Sequence, residues 1–180
     1  MTALVELIPL RCLRCETPVP AQPEEVAWSC SQCGQGLLLD ETKGLVPLEI
    51  HYAAGIQPNG IGKPFWVVVG QVTVVRDTYS GDKSADAQRF WGDGRRFILP
   101  AFAGTLETLL SFSMQYLQQP PVLQPGPDAR FEPVTLSPGD LAAAAEYLVM
   151  TIEAGRKDSL KVVSVGVSLS APALWILPNI

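Results

Sequence analysis

The chain has 180 residues, room for one medium domain or for one small and one ordinary domain. It is 47% apolar and 17% charged, against roughly 25% charged in an average soluble domain, which excludes a disordered chain. Net charge is −5 and the pI about 4.8, so no overall basic field exists to hold a polyanion.

The opening MTALVELIPLRC lacks a basic n-region and carries Glu6 inside its apolar stretch, so no signal peptide is expected. Ala3 to Pro9 reads as a strand. Next come Cys12-Leu13-Arg14-Cys15 and Cys30-Ser31-Gln32-Cys33, two C-x2-C pairs fourteen residues apart. Two residues between cysteines allow a tight turn to aim both sulfurs at one point, and Gly34 supplies the backbone freedom needed just after the second pair. Four thiolates make a closed tetrahedral shell with no open position for water, which points to structure and not to catalysis. Val26 to Ser29 and Gly36 to Leu39 are strand-like flanks. The polar turn Asp40 to Gly44 suggests a boundary, giving units 1–46 and 47–180.

Leu45 to Tyr52 reads as a strand, and Ala53 to Lys63 as a glycine-rich loop with an Asn59-Gly60 turn. Phe65 to Val75 is the strongest strand signal, rich in β-branched and aromatic residues, with Gly70 marking a bulge or bend. Asp77 to Gln88 reads as a polar loop, Arg89 to Trp91 as strand, Gly92 to Gly94 as a turn and Arg95 to Pro100 as strand. Thr105 can cap a helix to about Leu117, with Leu106, Leu109, Leu110, Met114 and Leu117 on one stripe. A proline-rich connection follows, from Gln119 to Arg130, then a strand from Phe131 to Leu136. Ser137-Pro138-Gly139-Asp140 starts a second helix, with Leu141, Ala144, Ala145, Leu148, Val149 and Ile152 at helical spacing and Gly155 at its end. Lys161 to Leu169 and Ala173 to Leu177 read as a strand pair turning at Ser170-Ala171-Pro172. The uncharged run from Val162 contains too many serines and prolines for a membrane span. The fold class expected is α+β: a small N-terminal cysteine-bearing unit, then a two-layer, mostly antiparallel sheet with two helices.

The four cysteines at this spacing resemble a zinc ribbon over about residues 8 to 40, which implies one structural Zn²⁺ on Cys12, Cys15, Cys30 and Cys33. A rubredoxin-type iron site uses the same ligands, but its longer gap and aromatic-rich core set it apart, and zinc is favoured. A thioredoxin-like redox pair would not need the second C-x2-C. The segment Pro64-Phe65-Trp66 loosely resembles uncharacterised bacterial zinc-ribbon proteins and implies no activity.

The rest of the chain offers no recognisable catalytic or cofactor-binding set. His51 is the only histidine, on an expected strand. Gly55 to Lys63 fails the phosphate-loop pattern because Pro64 stands where Ser or Thr is needed. Asp82, Asp86 and Asp93 read as turn residues, and they dilute the basic Lys83, Arg89, Arg95 and Arg96. Ser111 and Ser113 lack a nucleophile-elbow context. The aromatic residues at 65, 66, 90 and 91 lie in apolar strands without interleaved basic residues, unlike a base-stacking platform. Arg11 and Arg14 flank the first cysteine pair, where they can offset thiolate charge. Segment 1–46 has three basic and six acidic residues, a net of −3, so duplex DNA is not an expected ligand. The reading is therefore a non-catalytic, cytoplasmic binding or scaffold protein with a protein partner or self-association. The alternatives are a nucleic-acid-associated ribbon factor and an enzyme whose site the sequence does not reveal.

Overall fold

The computed structural model describes residues 10–179, so the strand expected at Ala3 to Pro9 lies outside the described residues. Three strands build a small antiparallel sheet in the order β1-β2-β3: β1 (Ala27–Ser29), β2 (Gly36–Asp40) and β3 (Gly44–Leu48). The polar turn at 40–44 is the β2–β3 hairpin. Asp40 closes it by accepting hydrogen bonds from the Thr42 hydroxyl and from the N–H groups of Thr42 and Lys43, which hold its carboxyl below the usual range. The strand expected over Leu45 to Tyr52 divides at Glu49. Its first half stays in the small sheet to Leu48, and its second half, β4 (Ile50–Tyr52), joins the large one.

The large sheet is organised by β5 (Ile61–Ser80), a strand of 20 residues. Its partners are β6 (Arg95–Pro100), β7 (Arg130–Phe131), β8 (Ser159–Leu169) and β9 (Ala173–Leu177), with β4 outermost beyond β9. Gly70 is where the partners change. It is the last residue of β5 paired with β6 and the first paired with β8. A Cβ at Gly70 would lie 2.6 Å from the Phe97 ring, so glycine here serves a close approach.

The two C-terminal strands do not form the expected pair. β8 runs antiparallel along 70–80 of β5 and β9 along 63–67, both on the edge opposite β6. Between them the Ser170 N–H donates to the Val69 carbonyl, and the Val69 N–H donates to Ser170 Oγ. The chain therefore continues in one direction across Ser170-Ala171-Pro172. The long β5 templates both strands, and the interruption is a bulge where Pro172, with no N–H to donate, is tolerated.

Among the described residues three α-helices cover the sheet, one more than expected: α1 (Ser84–Trp91), α2 (Leu106–Gln118) and α3 (Leu141–Ala154). α1 replaces the expected loop to Gln88 and strand at Arg89 to Trp91. It is short and polar, and it buries only Ala87 and Trp91, one turn apart, so its apolar signal is two residues wide. Asp82 does form the expected Asx-turn, accepting from the N–H and hydroxyl of Ser84, but that turn starts a helix. α2 begins at its expected cap, with Thr105 Oγ1 accepting from the Thr108 N–H. Ser137 accepts from the Gly139 N–H at a 3-10 turn, Pro138–Asp140, that leads into α3. The strand expected from Phe131 shrinks to Arg130–Phe131 plus a lone bridge from Val134 to Ala27, because Pro133 interrupts the donor ladder.

The core lies on both faces of β5. Trp66 and Val68 point into a cluster with Trp91, Phe97, Leu148 and Ile176. Their neighbour Phe65 points the other way, with Ile98, Phe102, Tyr116 and Leu177, as strand alternation requires. Leu123 of the proline-rich connection packs against this second cluster, and Gly126 N–H donates to the Tyr52 carbonyl. Beyond Gly70, β5 and β8 project as a two-stranded arm. Val72, Val74, Val165 and Val167 join the main core on one face. Val75, Tyr79 and Val162 are 64%, 74% and 56% exposed on the other. No described helix is long and apolar enough to cross a membrane.

Candidate functional site: a four-cysteine metal centre

Two loops of matching geometry carry the cysteines. In the first, the Cys12 N–H donates to the Thr17 carbonyl and the Glu16 N–H donates to the Cys12 carbonyl, both at 2.9 Å. In the second, the Cys30 N–H donates to the Gln35 carbonyl and the Gly34 N–H to the Cys30 carbonyl, both at 2.8 Å. Each loop ends with a left-handed residue directly after its second cysteine: Glu16 at φ 60° and Gly34 at φ 72°. The sequence marks the second of these with glycine and leaves the first to a glutamate.

The loops bring the four sulfurs within 4.8 Å of one another. Cys12 and Cys33 sulfurs are 3.5 Å apart, Cys15 and Cys30 sulfurs 3.6 Å. A tetrahedral Zn²⁺ with bonds of about 2.3 Å would space its sulfurs by roughly 3.8 Å, so the donor set fits such an ion without rearranging the loops. Cys12 and Cys30 are buried beside Trp28 and Leu37, whereas Cys15 is exposed.

Cys12, Cys15 and Cys33 each have an acidity set by their own loop and by the sulfurs beside them. Hydrogen bonds with the Thr17 hydroxyl and N–H hold Cys15 down to about 6. At Cys33 the Gln35 N–H favours the thiolate, but burial and the three neighbouring thiols together push it up to about 12. Burial works against the Cys12 thiolate, yet the N–H groups of Arg14 and Cys15 bring its value down. One thiolate therefore forms readily, and the last needs a cation to appear at neutral pH. Arg11 donates to the Glu16 carbonyl across the first loop.

A second polar cluster was invisible in the sequence. Arg76, Glu153 and Asp158 have fully buried side chains in the outer half of the arm, where Arg76 lies across from Val163 and Asp158 directly precedes β8. Arg76 donates to both Asp158 oxygens, at 2.7 and 2.6 Å, to a Glu153 carboxylate oxygen and to the Glu153 carbonyl. Glu153 also accepts from Trp91 Nε1 at 2.7 Å and from Arg156 Nε at 2.9 and 2.8 Å. Burial opposes ionisation of Glu153, but the bonds from Arg156, Trp91 and Arg76 outweigh it and lower its value. Two cations and two anions cancel, and the cluster ties β5, α1 and the end of α3 together. Of the residues in this set only Trp91 stands out in the sequence, as an aromatic residue of an expected strand.

The other residues noted in the sequence do not converge. The His51 ring stacks on Trp175 at 4.9 Å, and its Nδ1 lies 3.8 Å from Glu49. Lys63 pairs with Glu132 at 2.9 Å and covers the Phe102 ring. Asp86 pairs with Lys83 and Arg89 along α1. Arg95 donates twice to the Phe90 carbonyl and lies over the Phe90 ring. Ser113 donates to the Leu109 carbonyl within α2. Trp66 and Trp91 are buried, as are Phe65 and Phe97. Compared with known proteins, the chain matches no family model, no curated protein and no solved structure.

Proposed function

We propose that this is a non-catalytic scaffold protein: a zinc-ribbon end is closed by one structural Zn²⁺ on Cys12, Cys15, Cys30 and Cys33, and the β5–β8 arm of the large sheet pairs with a second copy of the chain. The observation behind the assembly half is the arm. The outer edge of β8 pairs with no described strand. Monomeric proteins guard such edges with charges, prolines or bulges. From Val162 to Leu169 β8 has none of these, and Val162, Ser164, Gly166 and Ser168 form its open face. Two copies of β8 laid antiparallel about Ser164 would place Lys161 opposite Val167, so no like charges face each other. Four thiolates leave the ion no open position for substrate, which supports a structural metal.

Elemental analysis tests the metal half, with one equivalent of zinc expected per chain. Light scattering at micromolar concentration tests the assembly half. A dimer is expected, and Ser164→Lys, which places a charge on the open face near the symmetry axis, should shift it to monomer. A monomeric unaltered chain, or a dimer indifferent to Ser164→Lys, would remove the assembly reading while leaving the metal site standing.

A further inference from the structure

Where α2 and α3 diverge beside the end of β6 lies a cavity of about 610 Å³, within the roughly 300–1,000 Å³ span of small-molecule sites. Its walls are apolar: Leu109 and Leu110 from α2, Ala144 and Leu148 from α3, and Phe102 between β6 and α2. The Ser113 hydroxyl is already spent on the Leu109 carbonyl, so the wall offers no free donor there. At the rim, Leu106 and Tyr147 are 57% and 44% exposed.

A second cavity, of about 330 Å³, adjoins the first and shares Glu24, Phe102, Ala103 and Thr135 with it. It carries Glu24, Glu25 and Glu132, and neither cavity has a lysine or arginine in its lining. Glu132 is neutralised by Lys63, and Glu25 accepts from the Gln22 N–H. Glu24, at the junction, forms no ion pair or hydrogen bond with the described residues. An apolar chamber thus opens onto a negative one.

We propose that these joined cavities bind a free single-chain amphiphile with a cationic head, an alkylammonium. The chain fills the space between α2 and α3, where it removes apolar surface from water. The ammonium lies at Glu24 with Glu25 behind it. A carboxylate head on the same chain would meet like charge, and a neutral head would gain nothing from Glu24.

Calorimetry on the metal-loaded full chain with decylammonium, decanol and decanoate, each below its micellar concentration, tests this. Decylammonium should bind saturably at one per chain, and roughly tenfold more tightly than decanoate. Glu24→Gln, an exposed change that leaves the core alone, should weaken decylammonium about fivefold and leave decanol unchanged. Ala144→Phe, which fills the apolar chamber, should abolish binding of both. Decanoate binding as well as decylammonium would overturn the proposal, as would indifference to Glu24→Gln. Binding that survives a folded Ala144→Phe chain would place the ligand elsewhere and have the same effect. The comparison of heads on the unaltered chain decides the matter alone if Ala144→Phe fails to fold.

Discussion

At one end of the molecule four cysteines from two short loops meet within 4.8 Å. In the outer half of the arm, Arg76, Trp91, Glu153, Arg156 and Asp158 meet in a buried hydrogen-bonded set. Both clusters gather polar groups where apolar packing alone would not fix the chain. They solve the charge problem in opposite ways. A shell of four thiolates would need an external cation, because burial and the neighbouring sulfurs push Cys33 up to about 12. The arm cluster carries its own counter-charges and cancels to zero. The first is local in sequence and conditional on an ion. The second spans more than eighty residues and depends only on the fold.

Removing the metal should produce the larger effect. Structural zinc contributes on the order of 10 kcal/mol to small zinc peptides. Cys30→Ser, or chelation, should therefore unfold β1–β3, seen as loss of bound zinc and of Trp28 signal dispersion in NMR spectra. The large sheet should keep its circular dichroism but melt earlier. The two parts touch: Val26 N–H donates to the Val134 carbonyl at 2.8 Å, and Ala27 lies in the main core. A large sheet that melts as before would show that this contact carries no stability.

Breaking the arm cluster should come next. Glu153→Gln leaves Arg76 and Arg156 short of a buried counter-charge, a change that costs about 3–5 kcal/mol. Denaturant unfolding should show this loss with zinc content unchanged. The pH dependence separates the clusters further. Glu153 has a folded-state value below its unfolded one, about 4.3. Its stabilisation is complete above that unfolded value and is lost as pH falls through the lower folded value. Thiolate ligands compete with protons throughout, so metal affinity falls from neutral pH downwards. An acid titration should release zinc before the arm loosens. Simultaneous loss would mean that the two clusters are coupled.

The contrast also explains what could be read in the sequence. Cys12, Cys15, Cys30 and Cys33 announce themselves by spacing, and Thr105 and Ser137 mark helix starts through local hydrogen bonds. The β-branched and aromatic run Phe65–Val75 located the centre of β5, but not its extension to Ser80, where Asp77 and Tyr79 are exposed although the strand still pairs with β8. α1 escaped because only Ala87 and Trp91 mark its buried face, and its value lies in the Trp91 bond to Glu153. The course of β8 and β9 along one edge escaped for a similar reason. A Ser-Ala-Pro interruption has the same composition in a turn and in a bulge, and only the length of the partner strand decides between them. The α2–α3 cavity depends on the angle between two helices, which periodicity does not encode.

The smallest effect tests whether the two cysteine loops are equivalent. Gly34 and Glu16 occupy matching left-handed positions, but only glycine is unstrained there. Glu16 lies outside the sulfur shell and forms no side-chain bond with the described residues, so its replacement removes strain and little else. A glycine also gives the unfolded chain more freedom, which offsets part of the gain. Glu16→Gly should therefore stabilise the metal-loaded N-terminal sheet by about 0.5–1 kcal/mol, read as tighter zinc in a chelator competition. Gly34→Ala should weaken zinc by a similar amount, although a Cβ there would meet no heavy atom within 4 Å. Opposite signs for the two substitutions are the signature of backbone strain. Weakening by both would mean that the first loop needs its glutamate, and the apparent symmetry of the two loops would be geometric only.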